Sequence, residues 1–298
     1  MRSRLLPLHV PLDLRLTLGV LKEGAGDPCM RLSAGHALRA TRTPEGPATL
    51  ELRVREVELE ALGWGPGAGW ALDHVPDLVG LYDDGGDLRP AHPLVRYLQR
   101  RLAGLRLGRT LAVFEALVPV IIGQRVAGRE AGATYRALVR RHGEAAPGPH
   151  DLKLPPSAET IAGLGYYDFH PLGLERRRAE TLRLAAFEAP RLERIVDRDP
   201  APARRRLEAV PGVGLWTSGH VARVALGDPD AVILGDWNLP HTVAYALARE
   251  ERATDERMLE LLAPYAGQRG RVQRLIATAC GTAPRRGPRR PLRNLARI

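Results

Sequence analysis

The sequence contains few cysteines, and this scarcity excludes several kinds of site. Cys29 and Cys280 are its only thiols among 298 residues, and they lie far apart in the chain. Two cysteines cannot form the disulfide framework of a small secreted domain, nor the four-thiolate ligand set of an iron–sulfur cluster or structural zinc ion. They also provide no cluster of thiols that could accept an alkyl group, so direct alkyl transfer to the protein is not indicated.

Long apolar runs are also absent. Arg2, Arg4, Asp13 and Arg15 interrupt the first 20 residues, which excludes the apolar core of a signal peptide. No other segment approaches the roughly 18 consecutive apolar residues that a membrane-spanning helix needs. We therefore expect a soluble cytoplasmic protein without a membrane partner.

Lysine is scarce, although the chain is strongly basic. Lys22 and Lys153 are the only lysines, so nearly all of the 44 lysine and arginine side chains are arginines. With 34 acidic residues the formal net charge is +10. Arginine binds phosphate with two parallel N–H groups and stacks on bases, which favours a nucleic acid partner. A GC-rich genome, which enriches arginine together with alanine, glycine and proline, is the alternative explanation.

Residues 1–104 predict an N-terminal α+β domain with an antiparallel sheet. Segment 49–58 alternates apolar and charged residues, as a half-buried strand does, and segment 36–52 predicts a hairpin that turns at 44–47. The acidic segment LYDDGGD, with Asp83, Asp84 and Asp87, lacks the ligand spacing and closing glutamate of a calcium loop. It predicts a turn.

Residues 105–283 predict a helical domain, so the fold class is mainly α. Apolar residues recur every three or four positions from Leu111 to Ile122, and Pro119 should kink this helix or begin it. Helical spacing resumes in 175–187 and 203–209 after a proline- and glycine-rich loop at 144–157. Residues 284–298, which are rich in proline and arginine, predict a basic tail.

The segment VPGVGLWTSGH, residues 210–220, predicts two helices joined by a glycine hairpin, residues 210–214. Gly212 and Gly214 permit positive φ after Pro211, and Thr217 can cap the second helix. Free amides beside a helix N-terminus attract a phosphate oxygen, which a side chain would hold away. The alternative is a corner whose glycines serve only packing.

Asp236 lies 22 positions after Gly214 and precedes a helix predicted for 240–247. An isolated aspartate in this place is usually a helix N-cap, which is one interpretation of Asp236. However, the glycine hairpin and the downstream acid occur together, and this combination favours a shared function.

Residues 207–239, which contain both features, resemble the signature of the helix-hairpin-helix DNA glycosylases of base-excision repair. Segment 114–131, Trp216 and the strand-rich N-terminal region are similar to the 3-methyladenine DNA glycosylase II group. The resemblance covers essentially the whole chain and is strongest over residues 110–280. It implies a helix-hairpin-helix glycosylase architecture, in which residues 105–283 form two helical lobes with a cleft between them.

The resemblance also implies roles for individual residues. Asp236 would be the catalytic carboxylate. The expected DNA-binding residues are Gly212, Val213, Gly214, Thr217, Gln124 and Arg125. Arg125 would stand at the position that enters the duplex gap, where the family typically has a leucine, and could fill that gap by stacking. The carbonyls of Val210 and Val213 could hold a monovalent cation, and no other cofactor is expected.

An aromatic pocket for the damaged base is a further implication. Trp216 is the first candidate, and His220, Trp237, Tyr166 and Tyr167 are the others. For the aromatic residues apart from Trp216, packing in the core is the alternative. Alkylation gives a purine a positive charge, which an aromatic pocket can hold by a cation–π contact.

The sequence therefore predicts a monomeric, monofunctional DNA glycosylase associated with the nucleoid. Its partner would be double-stranded DNA containing alkylated purines such as 3-methyladenine and 7-methylguanine, which it would flip out of the stack. Bifunctional members use a lysine at the position of Trp216, so no lyase step is expected. A glycosylase for another damaged or mismatched base, and a non-catalytic DNA-binding module, are the alternatives.

Overall fold

The computed structural model describes residues 1–83, 85 and 88–284 of the chain. The turn predicted for LYDDGGD is described only in part, since Asp84 and Asp87 lie outside these ranges. The predicted basic tail lies outside them from residue 285 onwards.

The N-terminal region contains a five-stranded antiparallel sheet, as predicted. Its strands are β1 (Arg2–Pro7), β2 (Met30–Leu32), β3 (His36–Thr43), β4 (Gly46–Val54) and β5 (Glu58–Trp64), in the spatial order β1-β5-β4-β3-β2. The predicted hairpin is confirmed, because β3 and β4 pair from His36 opposite Arg53 to Thr43 opposite Gly46. Short helices pack on one face of this sheet, where they form an apolar core with Leu50 and Leu52.

The strand predicted for 49–58 is wrong in two respects. β4 ends at Val54, and Val57 is exposed in the turn before β5. Both faces of β4 are buried, since Glu51 is covered as well as Leu52. The loop around His150 covers the second face, where the His150 Nε2 lies 3.3 Å from the Glu51 carboxylate. Charged residues in this strand therefore form contacts within the protein.

The other regular elements of the described chain are mainly α-helices, joined by loops. The helices are α1 (Leu14–Leu18), α2 (Ala68–Asp73), α3 (Val75–Leu78), α4 (Pro93–Arg101), α5 (Val113–Gly123), α6 (Gly128–His142), α7 (Ala158–Gly163), α8 (Tyr166–Phe169), α9 (Arg176–Phe187), α10 (Ala189–Leu192), α11 (Pro200–Glu208), α12 (Leu215–Val221), α13 (Leu239–Ala248), α14 (Asp255–Leu262) and α15 (Arg269–Ala279). Within the described residues, no helix is both long and apolar enough to cross a membrane.

Helix α5 lies at the centre of the largest apolar core, with Leu117 and Ile121 fully buried. Pro119 lies inside this helix and does not begin it. Instead, the Glu193 carboxylate fixes its N-terminus by accepting hydrogen bonds from the Val113 and Phe114 amides at 2.9 and 2.8 Å. A carboxylate at this end of a helix satisfies free amides and interacts favourably with the helix dipole.

A third core joins α4 to the C-terminal helices. Leu98 of α4 packs in one cluster with Val243 of α13 and Leu275 of α15. Thus residues on both sides of the boundary predicted at 104/105 share one apolar core, and the boundary itself stays a prediction.

A partly buried ion pair ties the sheet to α5. Glu115 accepts hydrogen bonds from the Arg39 guanidinium and the Thr41 hydroxyl at 2.7 and 2.8 Å, and both of these residues lie on β3. The Arg39 and Glu115 side chains are 10% and 19% exposed. Because a charge left unpaired in such surroundings is costly, this contact should strongly couple the position of the sheet to that of α5.

We expect Glu115→Gln to lower the free energy of unfolding by about 3 kcal/mol, because Arg39 would keep its charge without an ionic partner. Urea denaturation measures this change. Glu144→Gln is the matched control: Glu144 pairs with Arg42 of the same strand, is 62% exposed, and should lose at most about 1 kcal/mol. Equal losses in the two variants would contradict the importance assigned to the buried pair.

Candidate active site

The glycine hairpin lies between α11 and α12, as predicted. Gly212 has φ +89°, and a Cβ there would lie 2.1 Å from the Thr181 hydroxyl, so this position requires glycine. Gly214 has φ −104° and precedes α12 as its N-cap, with open space where a Cβ would stand. The prediction of positive φ is therefore confirmed for Gly212 and wrong for Gly214. Gly214 instead leaves the start of α12 uncovered.

The carbonyls proposed for a monovalent cation belong to two buried residues. The side chains of Val210 and Val213 pack in the apolar core around α5, and the Val213 amide donates to the Val210 carbonyl at 2.9 Å. Only their backbone atoms are thus available to DNA or to an ion. The cation itself stays a prediction.

Thr217 does not cap α12. It lies inside this helix and is only 2% exposed, so it has no surface to offer to DNA. Its hydroxyl accepts a hydrogen bond from the Gln124 amide at 2.9 Å, and Gln124 donates also to the Gly212 carbonyl at 3.0 Å. The predicted contribution of Thr217 is therefore corrected: it helps to attach the end of α5 to the glycine hairpin.

Arg125 follows Gln124 on the exposed side of this attachment. Its φ of +59° is the left-handed conformation, which costs a residue with a Cβ about 1 kcal/mol or more. The residue is exposed, and it follows Gln124, whose side chain donates to the Gly212 carbonyl. The contact of Arg125 with DNA and its entry into the duplex stay predictions.

The Asp236 carboxylate is held from two sides. One oxygen accepts hydrogen bonds from the Asn238 and Leu239 amides at 2.8 and 2.9 Å. The N-cap residue of α13 is Asn238, so the N-cap interpretation of Asp236 is wrong: its carboxylate closes the turn that leads into this helix. The other oxygen accepts from the Trp216 indole N–H at 3.2 Å. Asp236 is half-buried and lies on the wall of a cavity.

This cavity, which we call the Asp236 cavity, has a volume of about 560 Å³. Trp216 and His220 of α12 lie on its wall with Asp236, and α5 and α6 add apolar residues such as Pro119 and Ala131. The N-terminal region supplies the remaining wall, through loop 20–30 and residues 39 and 40 of β3. Its size and mixed lining are those of a site for a small organic group.

One face of α12 and of the segment that continues it presents three functional groups to the Asp236 cavity. Trp216 and His220 lie on α12, and Arg223 lies one turn further, in the π-helical segment 222–226 that continues this helix. The Trp216 and His220 rings lie 4.5 Å apart. Burial, and after it the Arg223 charge, lowers the pKa of the His220 imidazole to about 4, although Asp236 opposes this change. His220 is therefore neutral near pH 7 and packs against Trp216 without a charge.

Arg223 is 8% exposed, and its guanidinium donates to Gln273 at 2.5 Å. Burial, followed by the charge of Arg274, lowers its pKa to about 9, while the Asp236 carboxylate acts in the opposite direction. Arg223 was not predicted from the sequence, although its spacing from Trp216 and His220 on one helix face could have indicated it.

Three predicted pocket residues do not line the Asp236 cavity, as the described residues form it. Trp237 and Tyr167 are each 77% exposed, so the alternative of core packing is also wrong for them. Tyr166 is half-buried between the His170 ring and the Arg176 guanidinium, which lies 4.9 Å from the Tyr166 ring. The assignment of these three residues to the base pocket is therefore corrected. The turn at Asp236 leaves Trp237 exposed, and α8, which carries Tyr166 and Tyr167, contributes no residue to the cavity wall.

No model of a known protein family matches the chain. It is 26% identical over 249 residues to a Mycobacterium tuberculosis protein named as a probable bifunctional transcriptional activator/DNA repair enzyme AlkA. This match covers 78% of the chain and 49% of that protein, so the chain spans about half the length of that relative.

Two solved structures cover nearly the whole chain. A 3-methyladenine DNA glycosylase from Archaeoglobus fulgidus superposes with a TM-score of 0.78 at 21% identity, covering 93% of this chain and 97% of its own. The 8-oxoguanine glycosylase/lyase of Clostridium acetobutylicum, bound to double-stranded DNA, gives 0.68 at 15% identity, with 90% and 91% covered. The fold is therefore that of the helix-hairpin-helix DNA glycosylases. The resemblance predicted from the sequence is confirmed.

The two hairpin glycines should differ in their tolerance of alanine. We expect Gly212→Ala to lower the free energy of unfolding by at least about 2 kcal/mol, because its φ and the contact with Thr181 both oppose a Cβ. Gly214→Ala, in open space and extended conformation, should change it by less than about 1 kcal/mol. Urea denaturation of both variants tests this, and similar losses would contradict the geometry of the hairpin.

His220 should make stability depend on pH. Its pKa is lowered from 6.5 to about 4 on folding, so the unfolded chain binds more protons between these values. The contribution of the neutral imidazole to the free energy of unfolding is complete above pH 6.5, decreases as the pH falls through this window, and is about 3 kcal/mol smaller below pH 4. His220→Phe should not show this decrease when urea denaturation is compared at pH 8, 6 and 4.

At pH 8 the wild type and His220→Phe differ only through the packing of the side chain. If the free energies of unfolding of the two proteins fall in parallel with pH, a buried neutral imidazole is contradicted.

Proposed function

We propose that this chain is a DNA glycosylase of base-excision repair that removes alkylated purines. The observation that carries this proposal is the position of Asp236, whose carboxylate lies on a cavity beside Trp216 and close in the fold to a glycine hairpin. The similarity to named alkylation-repair proteins supports the choice of substrate. Its partner is double-stranded DNA that contains the damaged base, and the chain acts as a monomer.

Recognition of DNA starts at the backbone. The amides that follow Gly212, together with the uncovered start of α12, form a surface that a phosphate oxygen can approach closely. Such contacts position the duplex without reading its sequence. The net charge of +10 strengthens the attraction at a distance. Arg125 lies near these phosphate-binding amides and fills the space that the flipped nucleotide leaves in the base stack.

Bond cleavage requires a negative charge near the sugar. As the N-glycosidic bond breaks, positive charge develops on the deoxyribose, and the Asp236 carboxylate stabilises it and orients the attacking water. The Asn238 and Leu239 amides hold this carboxylate in place, so it needs little rearrangement when the charge develops. Trp216 donates its N–H to Asp236 and presents its ring to the base. An alkylated purine is positively charged, so a cation–π contact with this ring stabilises it in the cavity.

A lyase step would need an amine, and the chain offers few. Lys153 donates to the Gly143 carbonyl at 3.3 Å, in the loop that follows α6. Lys22 lies in the loop beside the Asp236 cavity, closer than the sequence suggested, but its amine donates to the Gly24 carbonyl at 2.8 Å. Trp216 occupies the position of the lysine in bifunctional relatives. We therefore propose hydrolysis that leaves an intact abasic strand.

We expect Asp236→Asn to reduce the rate of base release by at least about 100-fold, because the charge that stabilises the sugar is removed. The asparagine oxygen can still accept from the Asn238 and Leu239 amides, but its NH2 group cannot accept from the Trp216 indole, so the free energy of unfolding should fall by about 1 kcal/mol through the loss of one hydrogen bond. The measurement is chromatography of bases freed from methylated DNA under single-turnover conditions. Asp151→Asn, an exposed change of the same kind, is the control and should keep the wild-type rate.

The same reactions test the rival functions. Product strands should break only after treatment with alkali, and breakage without it would contradict the monofunctional mechanism. Unchanged release by Asp236→Asn would remove this residue from the mechanism. If wild type and variant release no base but bind DNA with a steep dependence on salt, the chain is a binding module.

A further inference from the structure

A loop of the N-terminal region contributes an acid to the Asp236 cavity. Asp27 fixes the backbone of this loop, because its carboxylate accepts hydrogen bonds from the Glu23 and Cys29 amides at 2.7 and 2.8 Å. Gly24 and Gly26 both adopt positive φ within the loop. The main chain around Glu23 is therefore well defined, while the Glu23 side chain lines the cavity.

Glu23 differs from the other acids of the cavity because its carboxyl group has no partner. Glu115 is bound by Arg39, Asp27 accepts two backbone amides, and Asp236 accepts three N–H groups. The Glu23 carboxyl forms no hydrogen bond or ion pair with any residue that the structure describes. Burial, and then the charge of Asp27, raises its pKa to about 7.

Unpaired polar groups also stand on the α12 side of the cavity. The Nε atom of Arg223 and the Nε2 atom of His220 are buried and lack a hydrogen-bond partner within the described part of the chain. Arg223 is more than nine-tenths buried. Because buried polar groups are normally satisfied, unpaired groups on two walls of one cavity indicate a polar ligand between them.

We propose that the Glu23 carboxylate binds the Watson–Crick edge of the flipped base and favours guanine alkylated at N7 over adenine alkylated at N3. This inference rests on the proposed glycosylase function. The guanine edge offers two donors, N1–H and N2–H, which a carboxylate accepts together, and alkylation at N7 leaves this edge intact. The adenine edge offers one donor and one acceptor, so an ionised carboxylate satisfies only half of it.

The variant Glu23→Gln distinguishes recognition of the guanine edge from recognition of the adenine edge. A glutamine amide presents one acceptor oxygen and one donor NH2 group, which complements adenine and mismatches guanine. DNA treated with dimethyl sulfate contains both lesions, so one single-turnover reaction gives both rates by chromatography of the freed bases. The reaction is run at pH 8, above the pKa of about 7, so that most of the wild-type Glu23 is ionised. We expect release of 7-methylguanine relative to 3-methyladenine to fall at least about tenfold.

The control is Glu56→Gln, which makes the same charge change in the exposed turn before β5 and should keep the wild-type ratio. Glu23→Gln should melt at the same or a higher temperature than wild type at pH 8, because burial opposes the ionised carboxyl group. Glu23→Asp, which keeps the acid, should retain the preference for 7-methylguanine at a reduced rate. It provides the test if Glu23→Gln does not fold.

The outcomes distinguish the inference from the function on which it rests. An unchanged ratio in Glu23→Gln, or an equal fall in both rates, overturns the role of Glu23 and leaves the glycosylase in place. Loss of the preference in Glu23→Asp overturns it as well. If the wild-type protein releases neither base, the proposed function itself fails, and the inference fails with it.

Discussion

The hydrogen bonds of the Asp236 carboxylate are the constraint on which the rest of the site depends. One oxygen accepts from the Asn238 and Leu239 amides where α13 begins, and the other accepts from the Trp216 indole of α12, so the acid joins two helices that are separated in sequence. These three hydrogen bonds fix the orientation of the carboxylate. The same residue is thus a structural link between two helices and a candidate for chemistry.

The N-terminal sheet completes the site from the other side. Arg39 and Thr41 of β3 bind Glu115 of α5, and this contact fixes the sheet against the helix that ends at the glycine hairpin. The loop that carries Glu23 is attached to the sheet, because the Ala40 amide of β3 donates to the Cys29 carbonyl at 2.8 Å. The N-terminal region, whose purpose the sequence left open, is therefore part of the cavity wall and not only a support for the helices.

Local patterns in the sequence predicted the parts of the site that are close together in the chain. Gly212, Trp216 and Asp236 could be found because glycine turns, helix starts and family motifs are short-range signals. The contribution of Glu23 and Arg39 could not, since about 200 residues separate them from Asp236 and only tertiary packing brings them together. Thr217 was misassigned because Gly214 already provides the extended residue before α12, so the threonine falls one turn further into the helix.

The two hydrogen bonds of Gln124 have a mechanical consequence. They connect the end of α5 to both the Gly212 carbonyl and the Thr217 hydroxyl, which belong to the glycine hairpin and to α12. A displacement of the hairpin would therefore be transmitted through one side chain to the end of α5, so that two elements 88 residues apart in the sequence respond as one mechanical unit.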